Sequence, residues 1–348
     1  MARSERGLKR QRGAALIIAL LVVAMVVMLA TALSSDFLLM FRRVENQLYS
    51  EQSYAYLRGA EALSRAALLL DLQKDGQTRS DNLAEDWAQP QQYPTDYGWI
   101  GGQLEDLQGR FNLNSLGTSQ AGGGPQTGQA GAYSAQQYQF IRLLLALPFE
   151  EPLTLDQAQA LTDAVSDWID SNDDVSNLGG AESQYYEKAE PMGRPANRTL
   201  VGPSELMFVK GMTPAIYRAL APLVTVWPAR AGSGAVNVNT APIEVLRSLG
   251  GPQDPQPLTE GEVETLLDAR TPPKYIADNT AVAALLSAGV LANKHIVPAT
   301  VTVFSDYFLL NTTTEFQGHR YSMRSVLHRR SDVKPWRVDV ETRSFGDW

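Results

Sequence analysis

A run of twenty residues, Ala14 to Leu33 (AALIIALLVVAMVVMLATAL), carries no charge and no proline. As a helix it is about 30 Å long, the thickness of a bilayer's hydrocarbon core. The thirteen residues before it, MARSERGLKRQRG, hold five basic side chains against one acid, Glu5. Basic flanks stay on the cytoplasmic side, so the remainder of the chain is expected beyond the membrane. Arg42 and Arg43 on the far side oppose this only weakly, because a large domain crosses regardless of such charges. A cleaved secretory signal would have a shorter apolar core, although Ala30-Thr31-Ala32 imitates its cleavage site. A plain signal anchor fits the length. The helical pattern then continues, since no proline occurs between Gly13 and Pro90. Val44, Leu48, Ala55, Ala62, Ala66 and Leu69 recur at helical spacing and mark one face for packing on a soluble domain. Asp75-Gly76 reads as the stop. One helix from Ala14 to about Lys74 is predicted, its first half in the membrane.

The junction allows a third reading. The basic segment ends in Gly13 and the apolar run starts at the next residue. This resembles the prepilin leader of type IV pilin-like proteins. The resemblance implies cleavage after Gly13 by a membrane-embedded prepilin peptidase and N-methylation of the new terminus, Ala14. A protruding apolar half-helix needs lipid or similar helices around it, which suits a segment that moves from bilayer to filament. Pilins usually carry a glutamate five residues after the cut, pairing with a neighbour's amine. Ile18 stands there instead, which fits a subunit with no neighbour ahead of it.

Downstream, Tyr97 to Asn114 (YGWIGGQLEDLQGRFNLN) suggests a hairpin turning at Leu107-Gln108-Gly109. Residues 117–131 are rich in Gly, Ser and Gln and read as a flexible loop. Short helices separated by Gly and Pro follow to about Asn293. The C-terminal stretch alternates or is β-branched and reads as three antiparallel strands, with Gln317-Gly318 as one turn. Strands on both sides of a helical block should share one sheet. The fold expected is therefore α+β: a long N-terminal helix packed on an antiparallel sheet, type IV pilin-like, with a large all-helical domain inserted. The boundaries read as 1–13 for the leader and 14–34 for the membrane half-helix. The pilin-like domain takes 35–114 and 299–348, and the insert 115–298. A weak internal repeat is present: Phe111-Asn-Leu-Asn-Ser115 matches Val236-Asn-Val-Asn-Thr240, and Leu223-Val-Thr-Val226 matches Thr300-Val-Thr-Val303.

Charge and composition remove several function classes. The formal charge is −8 and no Lys/Arg-rich run follows the leader, which argues against nucleic acid as a partner, even where segments such as VKGMTPAIYRAL resemble helix-hairpin-helix modules. With no cysteine, thiol catalysis, thiolate metal sites and disulfides are excluded. The three histidines, His295, His319 and His328, form no HExxH or other metal spacing. No G-x-S-x-G elbow or phosphate-binding loop occurs. Asp163, Asp167 and Asp170 on one helix face are the nearest approach to a hydrolase site, but a solvated face or a cation clamp explains them better. No catalytic residue is assigned.

The densest polar stretch is Asp167 to Glu187. Asp170, Asn172 and Asp174 occupy the first, third and fifth positions of an EF-hand loop, but Val175 replaces the required Gly and Glu182 comes one residue late. Hard oxygen ligands this close repel one another unless a cation or solvent separates them. Asp170, Asp173, Asp174 and Glu182, with Asp167 next, are the candidates for structural calcium. A solvated acidic loop is the alternative.

The same stretch carries a wider likeness. Asp-Trp-Ile-Asp at 167–170, Gly-Ala-Glu at 180–182 with Tyr185-Tyr186, Arg-Pro-Ala-Asn-Arg at 194–198, Gly-Arg-Phe-Asn-Leu-Asn at 109–114 and Asn-Val-Asn-Thr-Ala-Pro at 237–242 together resemble the minor pseudopilin K family of type II secretion. The likeness implies an inserted helical domain, calcium in some members, and partnership with minor pseudopilins H, I and J and the major pseudopilin at the tip of a periplasmic pseudopilus. It also implies a single-pass inner-membrane location, a C-terminal domain in the periplasm, and no enzyme activity. An adaptor outside any filament and a tethered hydrolase are the competing functions.

Overall fold

The computed structural model describes residues 11–76, 79–117, 133–230, 234–271 and 275–346. Most of the basic leader and of the Gly/Ser/Gln-rich stretch lie outside the described residues. In chain order the elements are α1 (Gln11–Asp75), β1 (Gln91–Thr95), β2 (Gly98–Asp106), β3 (Phe111–Asn112), α2 (Ala135–Leu145), α3 (Leu155–Ile169), α4 (Ser183–Tyr186), α5 (Pro214–Leu220), β4 (Val224–Thr225), β5 (Val236–Asn237), α6 (Ile243–Arg247), α7 (Glu260–Ala269), α8 (Asn279–Leu286), β6 (Val301–Thr302), β7 (Tyr307–Phe316), β8 (His319–Arg330) and β9 (Arg337–Phe345).

The 65 residues of α1 form one helix that stops where Gly76 takes φ 63° and its N–H reaches back to Leu72 O. Its first part is unburied and apolar enough to cross a membrane. Its second part lies on the sheet, but through another face than the one predicted. Ser53, Leu57, Glu61, Leu68 and Leu72 are buried; of the predicted face only Leu69 packs, partly buried, against this core, whereas Val44, Leu48, Ala55, Ala62 and Ala66 are exposed. Polar members disguise the true stripe. Glu61 is the clearest case: it accepts from Arg343 Nε at 2.7 Å, Arg343 Nη2 at 2.8 Å and Ser325 Oγ at 2.8 Å. A buried carboxylate is tolerated when it is paired and hydrogen-bonded in this way.

The sheet is antiparallel throughout, in the order β1-β2-β7-β8-β9. Along β7 burial alternates residue by residue, so Phe308, Leu310, Thr312, Thr314 and Phe316 face inward. Phe308 and Leu310 join Leu68, Trp87, Leu104, Leu327 and Val338 in the core beneath α1. Gln317 and Gly318 both take positive φ, as a two-residue hairpin turn between β7 and β8 requires. The N-terminal hairpin is displaced from its predicted place. It turns between Thr95 and Gly98, joining β1 to β2. Leu107-Gln108-Gly109 is instead a bend, held by Gln108 N–H on Asp106 Oδ1 at 2.7 Å, from which the chain leaves the sheet. The strand missed, QQYPT, is polar and contains proline, which the sheet accepts because β1 is an edge.

Between β2 and β7 the chain makes a second core, which runs from Phe111 and Leu113 to Val301 and Val303. It is helical except for two parallel β pairs, and these explain the sequence repeat. Phe111-Asn112 pairs with Val224-Thr225, and Val236-Asn237 pairs in the same register with Val301-Thr302. In both copies the first Asn accepts from the backbone N–H two residues on, at 3.0 Å. In both, the second Asn fastens a distant loop. Asn114 binds Leu200 N–H and O and Val226 O; Asn239 binds Ile276 N–H and O. In each half a Leu-Thr pair, Leu153-Thr154 and Leu258-Thr259, opens a helix with a capping box, Thr154 with Gln157 and Thr259 with Glu262. Arg142 of α2 ties the halves together, donating to the carbonyls of Ser248, Gly251 and Asp254.

Asn114 is fully buried, and truncating it orphans three backbone groups. Asn114→Ala should therefore lower the unfolding free energy by about 2–4 kcal/mol, read by urea denaturation. A loss under about 0.5 kcal/mol, the size of an ordinary surface substitution, would contradict this role.

Candidate metal centre

The acidic stretch folds around the C-terminal end of α3. Asp167 is on the last turn, Asp170 caps it, and the chain then loops through Asn172 and Ser176 to Glu182, the N-cap of α4. One carboxylate oxygen from each of Asp167, Asp170 and Glu182 lies within 4.8 Å of the others. Two ligands at the usual ~2.4 Å from one calcium ion are at most about 4.8 Å apart, so no pair among the three is too far apart to share an ion.

The satisfaction of these oxygens differs. Asp167, fully buried, accepts from Ser176 N–H at 3.1 Å and Ala181 N–H at 2.8 Å. Glu182 is 2% exposed, and neither carboxylate oxygen meets a hydrogen-bond donor in bonding geometry among the described residues; what faces it is a second carboxylate, Asp173, with which it pairs only by holding a proton. An ionised carboxylate buried without a partner is strongly unfavourable. Burial, and then the charges of Asp167, Asp170 and Asp173, push Glu182 up to about 8. Burial raises Asp170 to about 6 and lifts Asp167 as well. A hard divalent cation answers all of this at once, and the donor set is all oxygen.

Of the five residues predicted, three converge. Asp173 is exposed and beside Glu182, but its Oδ1 takes Ser183 N–H at 3.2 Å, which holds its pKa low. Asp174 is exposed and stands outside the triad; its N–H donates to Asn172 Oδ1 at 2.7 Å. Two supporting residues lie outside the predicted ligand set. Asp163 accepts from Asn177 Nδ2 at 2.9 Å and Gly179 N–H at 3.2 Å. Lys210 donates from Nζ to the carbonyls of Gly179 and Gly180, both at 3.0 Å. Only glycine fits at 180, where a Cβ would lie 2.2 Å from Asp167 Oδ2 and 2.5 Å from Ser176 O. Gly180 directly before Ala181-Glu182, and Lys210 within Val-Lys-Gly-Met, are the sequence signals that could have found this packing; read as sequence they carried only the family likeness.

Gly13, Ala14 and Ile18 all lie within α1 and are exposed.

Known proteins resemble this chain over nearly its whole length. Residues 109–229 match the model of the family described as type II secretion system protein K. The chain is 31% identical to the type II secretion system protein K of Pseudomonas aeruginosa, over 97% of itself and 93% of that protein. It is 33% identical to the Klebsiella pneumoniae protein of the same name, over 92% and 93%. In the crystal structure of the GspK-GspI-GspJ complex from enterotoxigenic Escherichia coli, a chain of 24% identity shares the fold, with a TM-score of 0.69 over 88% of this chain and 100% of that one. A pilin-like helix on an antiparallel sheet, a duplicated helical insert and likeness at this level across the chain place it in the type II secretion system protein K family, the minor pseudopilins of that system.

Proposed function

We propose that this minor pseudopilin sits at the tip of the periplasmic pseudopilus and initiates or caps its assembly for export across the outer membrane. The observation that carries this reading is the state of α1. Apolar side chains from Leu16 to Leu48 are exposed, including Phe37, Leu38, Leu39, Met40 and Phe41 beyond the first charge at Asp36. A face this long needs lipid or similar helices to cover it. The leader is cut after Gly13 by the prepilin peptidase and Ala14 is N-methylated. The protein then rests in the inner membrane with a single pass and its head in the periplasm. Ile18, 63% exposed, offers no carboxylate to a neighbour's amine, which supports a place with no subunit ahead. The solved relative is part of a complex with GspI and GspJ, so the counterparts of those two are the expected partners, with pseudopilin H and the major pseudopilin next in the filament. The role is mechanical, with no catalytic residue. Calcium at Asp167, Asp170 and Glu182 is structural, fixing the head's loop.

Because the chain has no cysteine, single-cysteine variants report contacts cleanly. Leu48→Cys, on the exposed face of α1, should cross-link in membranes to cysteines placed on the helices of the I and J counterparts. Arg320→Cys, on the far surface of the sheet, should not. Equal yields at both positions, or none at Leu48, would refute the helix-bundle reading.

A further inference from the structure

One acid interrupts the apolar rod. From Ala14 to Phe41 every residue of α1 is apolar or carries a small hydroxyl, except Asp36. Two of the hydroxyls are satisfied within the helix. Thr31 Oγ1 donates to Val27 O at 3.0 Å and to Met28 O at 2.9 Å, and Ser35 Oγ donates to Thr31 O at 3.0 Å. A carboxylate has no such outlet, because it only accepts and the N–H groups of a helix interior are already bonded. Asp36 is exposed, and no hydrogen bond or ion pair reaches it among the described residues. Its own helix offers no cation close by. Arg42 is taken by Glu45 at 3.0 Å. Arg43 is seven residues on, about 10 Å along the axis.

While Ala14 to Leu33 fills the hydrocarbon, Asp36 stands about 5 Å beyond it, where water among the headgroups solvates the charge. A helix bundle removes that water. The neighbours of Asp36 on the helix surface, three and four residues away on either side, are Ala32, Leu33, Leu39 and Met40. The head does not cover them: Leu33, Leu39 and Met40 are each more than half exposed. A helix seated on these side chains also encloses Asp36. An enclosed carboxylate is strongly unfavourable unless it is paired and hydrogen-bonded. The covering helix must therefore bring the cation. Such a pair also does what the apolar contacts cannot. Leucine and methionine side chains pack nearly as well after a slide of one turn, about 5 Å, whereas a lone charge in an apolar seam is matched at one register.

We propose that Asp36 pairs with a lysine or arginine on the helix of a neighbouring minor pseudopilin, and that this pair sets the axial register of the subunit in the bundle. The inference rests on the helix-bundle reading above. The test uses the full-length chain in membranes, coexpressed with its I and J counterparts. Asp36→Lys should lower the yield of co-purified counterparts about tenfold or more, because it sets two like charges against each other. Each Lys and Arg near the end of the counterparts' apolar segments is then changed to Glu in turn. One of these reversals should restore at least half of the native yield with Asp36→Lys. Asp36→Leu removes the charge without opposing the cation, so its loss of yield should be smaller. Cross-links from Leu48→Cys, confined to one partner position when Asp36 is present, should spread in Asp36→Leu to positions one turn to either side. Leader cleavage and the melting of the head should not change. If Asp36→Lys does not mature, Asp36→Leu still reads the register. Cross-links of unchanged yield and position in these variants, or a loss that no reversal restores, overturn this inference and leave the bundle reading standing. No cross-link from Leu48→Cys with Asp36 in place removes that reading, and this inference with it.

Discussion

Gly13→Leu should leave the leader attached and abolish secretion through this system, while the head folds normally. Position 13 is exposed on α1 and a Cβ there meets nothing within 4 Å, so the substitution does not disturb folding. Its effect falls on the peptidase, which would be denied the small residue at the cut. The consequence is electrostatic. The leader holds Arg3, Arg6, Lys9, Arg10 and Arg12 against Glu5. Each Lys or Arg placed at the centre of a bilayer costs about 2.5–3.5 kcal/mol on insertion scales. An apolar helix bundle is no kinder to an unpaired charge. Five such residues on the end of α1 therefore oppose its move from bilayer into filament by on the order of 10 kcal/mol. Mass spectrometry of membrane-extracted protein should find residues 1–13 retained in Gly13→Leu, against a native protein that starts at methylated Ala14. Culture supernatants should lose the secreted load. A native protein that keeps its first thirteen residues, or a Gly13→Leu protein cut at the same bond, would remove the pilin reading.

Much of this architecture is legible in the residues because it is local. An uncharged run behind a basic tag, and β-branched alternation in the last fifty residues, need no tertiary information. Legibility ends where burial overrides local preference. The face of α1 that meets the sheet includes Ser53 and Glu61, which read as solvent residues until Arg343 and Ser325 are brought from the other end of the chain. The edge strand β1 hides behind Pro94 for the same reason: position in the sheet decides whether proline is harmful. At the acidic site, spacing in the sequence gathers Asp170, Asp173 and Asp174, but the chain bends so that Asp167 and Glu182 close on Asp170 while Asp174 turns out. The repeat was visible as text, yet its meaning, two Asn-x-Asn clamps each holding a parallel β pair, required the register of four separated segments.

Stripping divalent cations should lower the melting midpoint of the head, and by more at pH 8 than at pH 5. In the metal-free head Glu182 titrates near 8, far above its ordinary 4.5, chiefly because burial disfavours its charge. The three acids titrate as a unit, so the cluster and not one residue holds the proton. Between about 4.5 and about 8 the native state binds protons that the unfolded chain has released. Stability must therefore fall as pH rises through that window, and flatten below it. A tenfold difference in acidity between the native and unfolded states corresponds to about 1.4 kcal/mol, so the loss amounts to a few kcal/mol. Calcium requires the ionised form and reverses the trend: its stabilisation grows with pH as protons leave. At a thousandfold excess over its dissociation constant an ion adds about 4 kcal/mol, roughly 8–16 °C for a domain of this size. Glu182→Gln separates this account from simple acidic repulsion. The amide removes one charge and can donate to Asp167 or Asp170, so the variant without metal should melt higher than the native protein at pH 8. It should also lose its response to calcium. Thermal melts with chelator and with calcium, at pH 5 and pH 8, decide the matter. Equal midpoints with and without calcium at pH 8, or a calcium response that survives Glu182→Gln, would mean that these carboxylates hold no ion.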